Sequence, residues 1–412
     1  PDTTIILGGN LGASAKIILK KTGVDFVCTG EGEVTIVDFI ECWMGAQSRN
    51  DFVNVKGLAF LDNDQNLVIT PFPDPIKASE VYDVDWSILD KLGHNEFFFP
   101  KWDGTEGKVL FFFEKFSKDP RTLEPHRAGK RVATLPGSKG CVARCTFCHR
   151  WDKGIRYIPV PIVMKRLDYL IKKHNVGFVS FGDENFGTDK RWLGPFIDEI
   201  SKRDLIWSVS GMRVNCIDEE WIVKMKAAGC SSIVYGMESG SQKMLDIMEK
   251  RTTTQQNRDA LKWTVKHKLD TVVQLVIGMP GETPELAKQT IQNAIDLDPD
   301  YAQFSVVCPF PGTQLAKEIK QGKWGKFISE DLEEYNTMKV TWLPFGYNSP
   351  EELENMERYA YRQFYLRPSY IFKRILKTRS LSDLIRYIKG AIALVKGSYL
   401  ISLGKKKETI KY

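Results

Sequence analysis

Apolar and polar positions along this chain repeat in two registers. Continuous apolar runs of five to seven residues recur at 131–135, 177–181, 205–209, 231–235, 271–277 and 301–307. Between them, apolar residues return at helical spacing over 160–174, 190–202, 219–228, 255–268 and 285–296. Runs of the first kind suit strands covered on both faces, and the second pattern suits helices with one buried stripe. Six such alternations predict an α/β fold, a parallel sheet that curls into a partial (β/α)6 barrel over 131–315. Polar or glycine-rich residues follow the strands: Gly182-Asp183-Glu184-Asn185, Ser210-Gly211-Met212-Arg213, Gly236-Met237-Glu238-Ser239 and Gly278-Met279-Pro280-Gly281. In folds of this kind chemistry gathers at those C-terminal strand ends.

The first 75 residues follow a related rhythm. An apolar run at 3–7 ends in Gly8-Gly9, a helical stretch covers 13–21, and a second strand covers 25–29. Gly30-Glu31-Gly32-Glu33 then opens an amphipathic run over 34–43. Strand, glycine turn, helix, twice over, is the pattern of a doubly wound sheet, and two units are fewer than a complete one. A hairpin is expected from 57–62 and 66–70, turning at Asn63-Asp64, after which Pro71, Pro73 and Pro75 break regular structure. The expected organisation is a partial Rossmann-like domain at 1–75, a linker at 76–130, the barrel at 131–315 and a helical region at 316–412. In that last region 351–366 reads as a helix stopped by Pro368. Residues 381–403 are apolar at helical spacing, interrupted by Lys389 and Lys396 and followed by Lys405-Lys406-Lys407. That tail is too charged to span a bilayer. It suits a peripheral membrane contact or a helix that covers the open barrel.

Composition narrows the class. Hydrophobic residues make up 42% and charged residues 27%, as in ordinary soluble proteins. A net charge of +6 is mild at this length; it favours an acidic ligand or membrane surface and does not call for nucleic acid. Of eight cysteines, Cys28, Cys42, Cys216, Cys230 and Cys308 are scattered and read as buried small hydrophobes. No disulfide framework is suggested, so a reducing, cytoplasmic setting is expected. The chain reads straight into a strand with no signal-peptide pattern, and it starts at Pro1, as a piece that has lost an upstream segment would.

The remaining three cysteines carry the chemistry. Cys141, Cys145 and Cys148 stand in Gly-Cys-Val-Ala-Arg-Cys-Thr-Phe-Cys-His, directly after the run at 131–135. Three thiolates at this spacing can wrap one face of a cubane iron–sulfur cluster, and with no fourth cysteine nearby one iron stays open to a ligand. A structural zinc clip completed by His149 is the bland alternative; it lacks a second Cys-x2-Cys pair, and His149 is adjacent to Cys148. Asp183 and Glu184 could be ligand-binding carboxylates or simple helix caps. Glu238 carries the same two readings, and Arg213 is either a ligand contact or the partner of a surface acid. His94, His126 and His149 are loop histidines or acid/base groups, and no catalytic acid or base is assigned. The aromatic stretches at 94–99 and Phe111–Phe113 are core or pocket lining.

Cys-x3-Cys-x2-Cys with Phe147 before the last cysteine, on the loop after the first of six βα units, resembles the radical S-adenosylmethionine (SAM) superfamily over about 131–311. By that resemblance Cys141, Cys145 and Cys148 ligate a [4Fe-4S] cluster, SAM chelates the open iron, and its reductive cleavage gives a 5′-deoxyadenosyl radical. Gly182-Asp183-Glu184 stands where the family holds the SAM amino group, with Asp183 replacing a glycine. Ser210, Arg213 and Glu238 stand where polar residues meet the SAM ribose, carboxylate or amino group. Gly278-Met279-Pro280-Gly281 suits the adenine side. The amino-terminal Gly8, Gly9, Gly30, Glu31 and Gly32 resemble the C-terminal half of the cobalamin-binding domain found in one subclass, as does Phe364-Tyr365-Leu366-Arg367-Pro368 in the tail. Members of that subclass often act as methyltransferases, with cobalamin as methyl carrier; ring-forming and rearranging members exist. The resemblance implies a small-molecule substrate, hydrophobic or lipid if the tail meets a membrane, and an electron donor such as flavodoxin or ferredoxin. A cobalamin-independent enzyme and a zinc-stabilised binding protein are the alternatives.

Overall fold

The computed structural model describes residues 3–9, 12–93, 95–102, 119–149, 154–335 and 339–378, together with Leu384, Tyr387, Ile388 and Ile392. His94, Phe111–Phe113 and most of the 381–407 tail lie outside the described residues.

The amino-terminal unit is a four-stranded sheet. Strand β1 (Ile6–Leu7) pairs parallel to β2 (Phe26–Cys28), then β3 (Leu58–Leu61) and β4 (Leu67–Ile69) add as an antiparallel hairpin. Helices Ala15–Lys21 and Gly32–Gly45 follow β1 and β2, as the glycine spacing predicts. Between the sheet and the second helix, Phe26 meets Phe39 edge to face and tilts against Phe52 and Phe60, while Phe39 stacks on Phe52.

The larger unit contains β5 (Arg131–Thr134), then a hairpin of β6 (Ser138–Cys141) and β7 (Gly154–Tyr157), then β8 (Val176–Phe181), β9 (Ile206–Met212), β10 (Cys230–Glu238), β11 (Asp270–Ile277) and β12 (Tyr301–Val306). Six of these form one parallel sheet in the order β12-β11-β10-β9-β8-β5, so each strand lies beside its neighbour in sequence. This is the half-barrel that the alternation predicts. The alternating side chains divide two faces. Val179, Phe181, Trp207, Val209, Ile233, Tyr235, Val273 and Leu275 pack outward against the covering helices in one core. Val132, Phe178 and Ile206 meet Trp102 in a separate apolar cluster.

Two strands outrun their apolar patterns. The run at 205–209 continues to Met212 and the run at 231–235 continues to Glu238, so Ser210, Gly211 and Glu238 belong to strands and not to the loops after them. In β10 the extension is made by a bulge between Gly236 and Glu238, with Glu238 at a left-handed φ of 62°. Beyond the barrel, β13 (Gly325–Phe327) pairs with β14 (Trp342–Pro344), and helix Pro350–Tyr365 packs on β12. Its Tyr361 and Tyr365 hydroxyls bond to the backbone of Phe304 and Ala302 on that edge strand. This blunts an otherwise open sheet edge.

Candidate active site at the strand ends

The three cysteines are presented by the β6–β7 hairpin. Cys141 ends β6 and pairs with Gly154 across the hairpin. The loop between them is fastened from both sides: the Thr146 amide donates to Met248 O at 3.0 Å, and its carbonyl accepts from the Leu315 amide at 3.0 Å. Phe147 packs against the cluster of Met244, Met248, Met279 and Leu315, which gives the aromatic at this position a positioning job. Cys145 is buried, Cys141 is half-buried and Cys148 is exposed.

Positive charge faces Cys145. The Arg213 guanidinium lies 3.8 Å from its Sγ and also donates to the Lys250 carbonyl. A hydrogen bond with Cys148, together with the charges of Lys250 and Arg213, brings the Cys145 thiol down to about 6 and pushes Cys148 up. The pair therefore surrenders its first proton easily, the state in which a thiolate binds metal. Lys250 in turn holds Glu238, with Nζ 2.6 Å from Oε1 and both side chains nearly buried. Gly236 leaves room for that ion pair, since a Cβ there would stand 2.7 Å from Glu238 Oε1. Lys250 is flanked by Glu249 and Arg251, both left-handed at φ 50° and 53°. Paired outliers of this kind cost of order 1–3 kcal/mol each and mark a loop fixed by its surroundings. Nothing in the local sequence singles out Lys250; only the packing of its loop on the cysteine loop reveals it.

The second wall is the turn after β8. Asp183 is buried, and its carboxylate accepts from the Gly137 amide at 3.0 Å and from Ser138 Oγ at 2.5 Å. It thereby locks the start of the hairpin that carries Cys141. Burial pushes its carboxyl up to about 6, against the pull of those bonds. Glu184 beside it is exposed, and Ser210 is half-buried. Gly211 crosses directly over this turn at φ 69°, where a Cβ would fall 2.2 Å from Asp183 O and 3.0 Å from Glu184 O. Gly211→Ala is therefore expected to destabilise the protein by about 2–4 kcal/mol, from left-handed strain plus overpacking. Denaturant unfolding measures it, and an unchanged midpoint would show that the two segments do not meet so closely.

Buried polar atoms without partners gather in these segments. Thr146 Oγ1, both amide atoms of Asn185, and Thr252 Oγ1 are buried and make no hydrogen bond within the chain. Each such atom costs about 1–3 kcal/mol when left dry. Their occurrence beside the cysteine loop, the Asp183 turn and the Lys250 loop fits a site that a polar group completes. The β11 exit adds a further wall, where Met279 packs in the cluster beneath Phe147. There Glu282 accepts from the Gly278 amide and from Tyr347 Oη at 3.1 Å, and burial pushes its carboxyl up to about 7.

The amino-terminal unit reaches the same hairpin. Glu31 accepts from Arg156 on β7, at 3.0 Å to Nη1, and lies 2.7 Å from Lys139 Nζ on β6. It also accepts from the Ile76 amide at 3.0 Å. Burial opposes its charge, yet these cations hold it down to about 2. His149 packs on Gly312, where a Cβ would lie 2.8 Å from the imidazole and 2.9 Å from Ala13 of the amino-terminal unit. Gly9 has open space around it and Gly8 and Gly32 have contacts no closer than 3.9 Å, whereas Gly30 sits against Phe72 and Pro73. His126 is far from this site: it bonds to Asp204, ahead of β9, at the opposite end of the sheet. Cys42 and Cys216 are only half-buried, which corrects the expectation that all five scattered cysteines are core.

A tetrahedral zinc site brings its ligands within about 4 Å of one another. Among the described residues no three His, Cys, Asp or Glu groups converge in this way. A cubane places each thiolate on a different iron, which the Cys-x3-Cys-x2-Cys spacing of Cys141, Cys145 and Cys148 on one loop suits. Residues 135–294, which include the cysteine loop and the turns after β8, β9, β10 and β11, match the Radical SAM superfamily. This chain carries a radical SAM domain.

The radical SAM match covers the half-barrel up to its fifth covering helix, Pro284–Leu297. Similarity to curated proteins runs further. The anaerobic magnesium-protoporphyrin IX monomethyl ester cyclase of Rubrivivax gelatinosus is 26% identical over 407 residues, covering 97% of this chain and 67% of that protein. An uncharacterized methyltransferase of Pyrococcus horikoshii is 28% identical over 365 residues, covering 86% and 70%. The chain thus spans about two thirds of the length of these relatives. Among solved structures, the radical SAM methyltransferase TsrM from Kitasatospora setae, with cobalamin and a [4Fe-4S] cluster bound, superposes with a TM-score of 0.58 at 20% identity. It covers 88% of this chain and 67% of that one. At that identity the likeness establishes the fold alone, including the six-stranded parallel half-barrel.

Proposed function

We propose that this protein is a cobalamin-dependent radical SAM methyltransferase acting on an unactivated carbon of a small molecule. One arrangement carries the reading: the hairpin that presents Cys141, Cys145 and Cys148 is also the element on which the glycine-rich amino-terminal unit is seated, through Glu31, Lys139 and Arg156. The bound cobalamin and cluster of TsrM and the methyltransferase relative support it. When bound, a [4Fe-4S] cluster supplies the single electron that cleaves SAM, and cobalamin carries the methyl group.

The chain's own residues have the following parts. Cys141, Cys145 and Cys148 hold the cluster, with Arg213 and Lys250 favouring the thiolate form of Cys145. Glu184, Ser210 and Glu238 offer acceptors to the SAM amino group and ribose, and Asp183 acts as a positioning residue by fixing Gly137 and Ser138. Gly8, Gly9 and Gly32 leave the backbone open on the amino-terminal face for the corrin and its tail. Reduction comes from a flavodoxin- or ferredoxin-type donor in the cytoplasm.

Anaerobic turnover with SAM, reductant and added cobalamin tests the reading against a panel of candidate metabolites. Deoxyadenosine and S-adenosylhomocysteine are expected in equal amounts, with a methylated product and a strict need for cobalamin. The similarity to the cyclase, which extends over 97% of the chain, favours a second reading, radical ring formation without methyl transfer. Deoxyadenosine without S-adenosylhomocysteine would select it. An iron-loaded protein that makes neither product would end both.

A further inference from the structure

Helix Pro368–Leu376 is packed inside out. Its charged and aromatic side faces the barrel: Tyr370 and Arg374 are buried, Lys373 Nζ lies 2.9 Å from Asp298, and Lys377 Nζ lies 2.9 Å from Asp300. The Arg374 guanidinium sits 4.3 Å from the Tyr301 ring centre and 4.7 Å from that of Tyr370. The other side is apolar and turned outward, with Ile371 42%, Phe372 64%, Ile375 56% and Leu376 69% exposed. At 3.6 residues per turn these four form one continuous arc. A surface helix ordinarily turns its apolar stripe inward, and a contiguous outward stripe marks a contact. Leu384, Ile388 and Ile392 follow in helical conformation, four residues apart and all exposed, so the apolar surface continues beyond the helix.

Charge says what would cover it. Residues 379–412 contain eight Lys or Arg and two Asp or Glu, a surplus equal to the chain's whole net charge of +6. The preceding residues are balanced. An apolar arc joined to a cationic segment complements a surface that is apolar below and anionic above. Among the described residues no helix is long and apolar enough to cross a membrane, so the contact is with a surface.

We propose that helix Pro368–Leu376 docks this protein on an anionic phospholipid bilayer through Ile371, Phe372, Ile375 and Leu376, with 379–412 supplying the electrostatic attraction. The helix hangs from Asp298, Asp300 and Tyr301, at the N-terminal end of β12, whereas the cysteine loop lies at the C-terminal strand ends. Docking therefore leaves the reactive end of the barrel turned away from the lipid, and it does not depend on the chemistry proposed there.

Flotation of the full chain with vesicles of phosphatidylcholine alone, or mixed with phosphatidylglycerol, decides the matter. The wild type is expected to float with the anionic vesicles, to stay behind with the neutral ones, and to be released by salt. The double variant Phe372→Glu/Leu376→Glu is expected to lose binding by at least about tenfold while keeping its circular dichroism spectrum, since both side chains are exposed. Three results overturn the proposal: no flotation of the wild type, equal flotation of wild type and variant, or a wild-type dimer that the variant turns into a monomer. The last would assign the face to a second copy of the chain.

Discussion

Cys145→Ala is expected to leave anaerobically purified protein with less than about a tenth of the wild-type iron and acid-labile sulfide, and with no detectable cleavage of SAM. In the proposed site the effect is large because the substitution takes one of three thiolates on one loop from a cluster with one open iron. Cys145 is also the buried member of the set, and the one that Arg213 and Lys250 face. Its loss removes a ligand and leaves two cations without the thiolate they offset. Cys42→Ala, in the amino-terminal helix and half-buried, serves as control and is expected to keep its iron. A Cys145→Ala protein that retains wild-type iron and sulfide would falsify the cluster assignment.

Glu31→Ala is expected to cost about 2–4 kcal/mol of stability and to loosen the amino-terminal unit from the hairpin. Removing one member of a nearly buried ionic group strands the others, here Lys139 and Arg156, each with only 17–20% of its side chain exposed. The pH dependence gives a separate signature. The carboxyl of Glu31 is held down to about 2 from an ordinary 4.5, so its contribution is fully present above about pH 4.5. It is lost as pH falls toward 2, because the unfolded chain takes up the proton first. On the order of 2 kcal/mol should disappear over that window in the wild type, after allowance for solvent around the cations. The variant should lack that component. Chemical denaturation of both proteins at several pH values checks this, and parallel curves would mean that the carboxylate is not clamped. Limited proteolysis near Pro71–Pro75 should quicken in the variant if the clamp joins the units.

The sequence made the barrel legible because β8, β9 and β10 are buried almost throughout on both faces, β11 and β12 bury alternate residues, and each covering helix buries one stripe, so periodicity and burial coincide. The hairpin Ser138–Cys141 with Gly154–Tyr157 was not legible. Neither strand carries an alternating apolar pattern, and its order comes from Asp183, Glu31 and the cysteine loop itself. The cysteines were visible through spacing alone. Arg213 and Glu238 were visible as polar residues at strand ends, but their link, Lys250, was not, because a bulge and two left-handed residues bring it to them. Glu31 read as turn chemistry since its partners stand far along the chain. Asp183 read as a departure from a glycine; in the fold it is the residue that fixes the loop before Cys141.

The strand order has a bearing on biogenesis. Because every strand of the half-barrel lies beside its predecessor, the sheet can grow outward from β5 as the nascent chain emerges. The thiol loop sits between the first strand and the second, so it appears early. The segments that close over it, at Arg213, Met248, Lys250 and Leu315, are translated later. During that interval the sulfurs are open to air and to stray metals. On the proposed function, a cluster would be loaded only after translation has passed Leu315, and a scarcity of oxygen would matter to the nascent chain.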